Sequence, residues 1–540
     1  MHGLHNTLLH AVSYSSLRRS GRAPTEQAVL ETGEMIVRPH ISAPQVRSVF
    51  GGILFSVLLL VPIFWQSRVQ AGDFATHVYN VWLATLIVQG KVQGLWVASQ
   101  SYNVLFDRVL QWLLLRTSAS MAQHIALSST VLIFAWGMIL FVTASARKAN
   151  WYFVAPCVAM ITYGFVYHMG FFNFYLAMGL CLWYLGIFYR VGYLWRVLAL
   201  PLLGLAWTAH PLPVVWTLAI GAYIVISDKV GPRQRWLFFL IALLSTVLAH
   251  FLLMHLYVCD WSFKQISSAT GADQLLAFGL PRHLRLVGEG KYVLLSVALL
   301  SVWLSVFVDL VKAQGSVRIF SSIPFQLWLI CAAGAFLIPD AIAFSHYALP
   351  FSYIKYRLSL TVAIMACALL SARPIKTIQK AVLILITLCF FGFVYTDTRG
   401  LNQAEDSVEA AVKQLPPGLR VLGFFPPQTA RMNPLQHALD RACIGRCFSY
   451  ADYEPATLQF RVRARRDNGV VLDEMADVRA VWNGSYVVKH RDVPVYVLYM
   501  CESGARKICS SPLREGEGIR DPSLQSGGPS TDQNASPGGL

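Results

Sequence analysis

A chain that repeats apolar runs of roughly twenty residues has few folding options, because in lipid every backbone N–H and C=O must be bonded internally, which favours helices. Such runs recur here from residue 49 to residue 396. They predict eleven spans, at 49–65, 124–145, 151–168, 172–189, 195–209, 211–226, 236–255, 291–311, 323–339, 350–371 and 381–396. The two spans around His210-Pro211 also read as one broken helix. Charged residues make up 13% of the chain, about half the share of a soluble domain, and mean hydropathy is +0.51. A soluble enzyme, a nucleic-acid binder and a disordered scaffold are therefore excluded. The fold class expected is an all-α polytopic membrane domain carrying a small α/β domain at its C-terminal end.

The net charge of +16 reads as a topology signal, since Lys and Arg gather on the cytoplasmic side of membrane proteins. With residues 1–48 as a cytoplasmic tail, the inner loops 146–150, 190–196, 227–235, 312–322 and 372–380 hold twelve Lys/Arg in 41 residues. The large outer loops 66–123, 256–290 and 340–357 hold nine in 111. That difference sets the orientation, and an odd span count then puts everything after residue 396 outside the plasma (inner) membrane. No removable signal peptide precedes the first run, which acts as an uncleaved anchor. Met1 and Met35 are alternative starts.

Residues 397–510 read as a small extracytoplasmic domain, with a helix at 406–415 stopped by Pro416-Pro417-Gly418 and strands at 419–425, 493–500 and 485–489. The Gly/Ser/Pro-rich stretch 511–540 reads as a disordered tail. Cys443, Cys447, Cys501 and Cys509 fall in this outer part and are expected to form disulfides, with three pairings open. The other six cysteines lie in or beside apolar runs and read as small buried hydrophobes.

Polar groups mark one side of the membrane domain. His77, His124, His168, His210, His250, His255, His283 and His346 all fall in outer loops or the outer ends of spans, as do Asp73, Asp107, Asp260, Asp273, Glu289 and Asp340. Titratable groups near lipid are costly and tend to mark function. The first outer loop is the most informative. Asp73, Thr76, His77 and Asn80 are spaced i, i+3, i+4 and i+7, one face of a helix, and apolar residues fill the other faces. This predicts an interfacial helix with its polar stripe toward an aqueous cavity. A carboxylate one turn from an imidazole suits general-base work or a divalent metal, and a helix cap is the alternative for Asp73.

Here the chain resembles a family. An acid just after the first span with His four residues on, a helix ending in Gly90, then Trp96 and Asn103-Val104-Leu105-Phe106-Asp107 resemble the GT-C class of multi-spanning glycosyltransferases. So do the turns His168-Met169-Gly170-Phe171-Phe172-Asn173 and Thr208-Ala209-His210-Pro211 and the outer C-terminal domain; the likeness covers roughly residues 49 to 500. Within that class it resembles bacterial enzymes of the dolichyl-phosphate-mannose-protein-mannosyltransferase kind. The resemblance implies transfer of a sugar from a polyprenyl-phosphate carrier to a glycan, lipid or protein acceptor at the outer face. Many members carry two adjacent acids after the first span, whereas Asp73 is followed by Phe74. A two-carboxylate metal site is thus in doubt, a divalent metal stays open, and Asp107 is the candidate second acid.

Such chemistry needs a base on the acceptor hydroxyl and positive charge on the departing phosphate. Asp73 is the candidate base, with His77 and Asp107 beside it. Lys355 and Arg357, at the outer end of the tenth span, suit the phosphate; snorkelling to the interface is their alternative. Asn80, His168, Asn173, His210 and His346 are candidate substrate contacts, each with a packing role as the alternative. Cys443-x3-Cys447 lacks the partners of a zinc site, Asn483-Gly484-Ser485 is a sequon, and no Walker-type loop is present. Two other functions stay in view. A transporter or flippase of lipid-linked saccharides would place polar groups near the midplane, and a non-catalytic assembly subunit would use the outer domain to bind partners.

Overall fold

The computed structural model describes residues 43–146, 151, 154–190, 192–278, 290–425, 434–466, 468–501 and 508–519. His283, Glu289, both alternative starts and residues 520–540 of the expected tail lie outside them. Helices α1 (Ala43–Phe64), α2 (Phe74–Val88), α3 (Leu105–Leu114) and α4 (Ala119–Ser145) come first. Then follow α5 (Ala155–Thr162), α6 (Phe165–His168), α7 (Phe172–Arg190), α8 (Tyr193–Leu198), α9 (Leu200–Ala209), α10 (Pro211–Lys229) and α11 (Pro232–Leu256). Next come α12 (Gly290–Gln314), the short α13 (Ser316–Phe320), α14 (Ile323–Leu337), α15 (Ile354–Leu370) and α16 (Thr377–Lys413).

Among the described residues six helices, α4, α7, α10, α11, α12 and α16, are long and apolar enough to cross a membrane. On α11 only Phe239 and His250 are buried, while Leu240, Leu244, Leu248 and Phe251 are exposed. A face that apolar fits lipid and not water. The expected count of eleven is larger because several apolar runs are interrupted. Gly164 splits 151–168 into α5 and α6, the run at 195–209 is bent between α8 and α9, and α14 has 15 residues. At His210 the extended backbone (φ −163°, ψ 129°) ends α9, and Pro211 starts α10 where its missing N–H is harmless.

The bundle centres on α4 against α7. A Cβ on Gly179 would come within 2.9 Å of the Phe134 backbone, and one on Gly137 within 2.6 Å of the Gly179 carbonyl. Small residues let the two backbones approach this closely. Phe134 stacks on Tyr175 beside them, ring centroids 4.2 Å apart.

Beyond the bundle, α16 runs on without a break into the C-terminal part, so 406–415 is its last stretch rather than a separate helix. Strands β1 (Leu95–Val97), β2 (Val258–Asp260), β3 (Ala341–Ala343), β4 (Arg420–Phe424), β5 (Phe448–Ser449), β6 (Val462–Ala464), β7 (Val495–Met500) and β8 (Ile508–Leu513) complete the chain, with short helices α17 (Ala438–Cys443), α18 (Tyr453–Thr457) and α19 (Met475–Trp482). The C-terminal sheet has the order β5-β4-β7-β8; β4 is parallel to β5 and β7, and β8 is antiparallel to β7. The expected strand 485–489 is only a single bridge, Val487 to Gly518. The expected tail is corrected at its start: 511–513 belong to β8, and Ile519 is buried. The disulfides are Cys443–Cys447 and Cys501–Cys509.

The segment between α1 and α4 and the C-terminal part form one body. β1 pairs antiparallel with β6, Leu95 opposite Ala464. Tyr79, Leu83 and Ala84 of α2 share a core with Val408, Val412 and Leu439, while Phe74, Val78 and Val81 face the core of the bundle. Helix α2 is thus a wall between two cores rather than an interfacial helix with a lipid side. It is apolar nearly all round, which suits burial on both faces.

Candidate active site

The site is assembled where α2 begins. The amides of Gly72 and Asp73 donate to the carbonyls of His168 (2.7 Å) and Met169 (3.0 Å). The turn reaches this close because Gly170 (φ +84°) has no side chain; a Cβ there would lie 2.7 Å from the Asp73 nitrogen. Asp73 occupies the cap position of α2, but its side chain makes no cap hydrogen bond. The cap alternative for Asp73 is therefore removed. Its side chain and that of His77 keep some exposure, unlike Phe74, Ala75 and Thr76, which are buried.

His77 is oriented from α3 and α7. Its Nδ1 lies 2.8 Å from Asp107 Oδ1. Asn173 Nδ2 donates to the other oxygen of Asp107 at 2.8 Å, and Asn173 Oδ1 accepts from the Phe106 amide at 2.9 Å. Three residues chosen separately from sequence thus form one chain, in which Asp107 holds His77 and Asn173 holds Asp107.

The C-terminal part supplies the opposite wall. Asp440 accepts from Thr76 Oγ1, from Ser449 Oγ (2.5 Å) and from His437 Nδ1 (3.0 Å). The Ser449 amide donates to Tyr79 Oη at 3.0 Å. His437 lies beside the Tyr453 ring, centroids 5.6 Å apart. A clamp locks this wall: Arg441 is 2.9 Å from Glu405 and donates to the Val69 carbonyl, while Arg68 pairs with Asp406 (2.6 Å) and Glu409.

Arg357 closes the other side. Its guanidinium lies over Phe171 (4.3 Å), Phe351 (5.1 Å) and Phe174 (5.8 Å), and its buried Nε and Nη1 have no hydrogen-bond partner. Unpaired guanidinium nitrogens held by aromatic faces are set to receive an anion. His210 shares Phe174 and Phe351 as ring neighbours, and its Nδ1 accepts from the Leu212 amide at 3.2 Å, a helix-capping role. Tyr353, just before α15, adopts φ +62°, a strained conformation for a side chain of that size.

Other candidates sit differently. Lys355 is ion-paired to Asp340 at 3.0 Å, so its charge is already met. His168 is buried against Phe278 and Tyr167 and serves the turn behind Asp73. His346 is exposed on the loop after β3. Asn80 is buried, donates to the Thr76 carbonyl at 3.2 Å, and leaves Oδ1 unpartnered. His124 bonds within its own helix, and His250 to the Leu337 carbonyl.

Burial raises the Asp73 carboxyl above its ordinary range, against the pull of His437, His77 and Arg357. Burial pushes His77 down, but the charge and hydrogen bond of Asp107, with Asp73, reverse this to a net rise. His437 follows the same pattern through Asp440, Asp73 and Asp452. Burial, then neighbouring carboxylates, raise Asp452 and Glu454 far above the usual range. A carboxylate with raised proton affinity, flanked by imidazoles, can take a proton from a hydroxyl.

His437, Asp440, Asp452, Glu454 and Arg461 carry no mark in the sequence, where they read as the surface of a soluble domain. Burial distinguishes the first four: Asp440 is 4% exposed, Asp452 2% and Glu454 5%. Among the described residues no three His, Cys, Asp or Glu side chains are grouped to hold a metal ion. Asp107 and Asp440 are instead bonded to His77 and His437. No family model, curated protein or solved structure matches the chain.

Proposed function

We propose that this protein is an inverting membrane glycosyltransferase that moves a sugar from a polyprenyl-phosphate carrier to an acceptor hydroxyl at the extracytoplasmic face. The observation that carries the reading is that Asp73, a carboxylate that caps nothing, lies within reach of the charge of Arg357, a guanidinium with unpartnered nitrogens. Asp73 takes the proton of the acceptor hydroxyl. The acceptor oxygen then bonds to the anomeric carbon as the carbon–oxygen bond to phosphate breaks. The electron pair leaves on the carrier phosphate, whose charge Arg357 balances. His77 and His437, held by Asp107 and Asp440, favour the ionised form of Asp73 through their charge, and the proton leaves Asp73 to water after the product departs. The sequence resemblance, the loop-charge asymmetry and the two disulfides of the C-terminal part, which suit an oxidising compartment, support the same face.

The test is transfer in proteoliposomes containing the whole chain, supplied with polyprenyl-phosphate-linked radiolabelled mannose or glucose and a glycan-rich membrane extract. The reading expects labelled product and free polyprenyl phosphate in equal amounts. Label that crosses the bilayer still attached to its carrier, with no new glycosidic bond, would establish a flippase instead.

A further inference from the structure

Around His77, one helical turn from Asp73, a cleft opens between α2, the start of α3 and residues 454–462, with about 350 Å³ of space that is partly open to solvent. We propose that this cleft is the acceptor subsite and that its occupant is a sugar rather than a lipid chain or a peptide; the assignment rests on the reading of Asp73 as the base. Beside the apolar Val81, Ala84, Phe460 and Val462, six of its ten lining residues are polar: His77, Asn80, Asn103, Asp107, Glu454 and Arg461. A lipid chain has no use for them and would leave them desolvated. A peptide added as a strand needs a free strand edge, and one edge of β6 is already taken by β1, with the Ala98 amide on the Arg461 carbonyl at 2.7 Å. The carboxyl, amide and guanidinium groups of the cleft instead suit a hydroxyl-rich occupant.

A sugar matches what is left. Asn80 Oδ1 is a buried acceptor with no partner, suited to a hydroxyl donor. Glu454 makes its hydrogen bonds through its backbone, the amide to Asp452 Oδ1 (3.3 Å) and the carbonyl from Thr457 Oγ1 (2.8 Å), and its carboxyl lines the cleft. Arg461 is steadied by one bond to Gln111 Oε1 at 2.8 Å, and a guanidinium has five N–H donors. Paired planar groups of this kind take adjacent hydroxyls two at a time. Phe460, held edge-on to Tyr453 at 5.5 Å, adds a ring face for the C–H side of a pyranose. His77 borders the cleft and follows Asp73 by one turn, so a hydroxyl entering from the cleft approaches the base past His77.

Saturation-transfer NMR on the whole chain in nanodiscs tests this. The probes are free mannose-, glucose- and galactose-based trisaccharides, an unmodified serine-containing tripeptide and a long-chain alcohol. At least one trisaccharide should bind wild type. Binding should weaken about tenfold in both Glu454→Gln and Arg461→Lys, as for loss of a paired hydrogen-bond contact, and stay unchanged in Lys264→Cys, an exposed position off the cleft. Melting curves show whether each variant is folded, and either folded cleft variant suffices. No trisaccharide signal, sugar binding that survives in the folded cleft variants, or binding of the tripeptide or the alcohol instead overturns the subsite. If Asp73→Asn binds sugar normally and also transfers it at the normal rate, the base reading fails while the subsite stands.

Discussion

Asp73 and Arg357 are each costly alone: one is a carboxylate raised by burial, the other a guanidinium with buried nitrogens unpaired. Their cost is explained if substrate completes them. A base acts in its ionised form, so transfer should fail as pH drops through the Asp73 pKa. Because burial moves that pKa upward, the acid limb of the pH–rate profile should lie above the roughly 4 of an ordinary carboxylate, and a limb at 4 or below would contradict this placing of Asp73. Arg357→Ala should raise KM for the carrier-linked sugar more than it lowers kcat. Arg357→Lys should restore only part, since Lys lacks the planar fork that reads phosphate. Steady-state kinetics with varied donor separate these outcomes.

Helix α2 shows what its residues alone make legible. The spacing of Asp73, Thr76, His77 and Asn80 puts them on one face, and Thr76, His77 and Asn80 each make a side-chain hydrogen bond. What faces them is set by long-range packing: Asp440 meets Thr76 from 364 residues away, and no local pattern encodes that. The same limit explains α5 and α6, where one apolar run reads as a single span until Gly164 interrupts it, and Lys355, whose partner Asp340 belongs to another element. The turn at Gly170 is the element most exposed to test. Gly170→Ala should strain a φ of +84° and push on the Asp73 amide, with activity lost well before the fold. Gly179→Ala, far from the site, should instead lower stability by about 1–3 kcal/mol through overpacking against α4, read as a lower melting temperature with kcat intact in the folded fraction.

At the scale of the molecule, long apolar helices carry a polar cap built jointly by the segment between α1 and α4 and the C-terminal part. Composition makes the helical membrane class legible, and charge counts give an orientation. A maleimide that cannot cross membranes should label Lys264→Cys in intact cells and spare Arg233→Cys, both exposed positions; the reverse pattern would invert the topology. The bridges Cys443–Cys447 and Cys501–Cys509 close short loops, of separation 4 and 8, so each should add only about 2–2.5 kcal/mol on a loop-entropy scale. Reduction should therefore lower the melting temperature modestly without unfolding the chain. The central claim is that the carboxylate of Asp73 performs the chemistry, and the most direct measurement is the single-turnover rate of sugar transfer by folded Asp73→Asn, saturated with carrier-linked sugar. That variant keeps the shape and removes the basicity, so the rate should fall by about 10²–10⁴-fold with donor affinity retained. A rate equal to wild type would contradict the account and leave Asp73 without a chemical role.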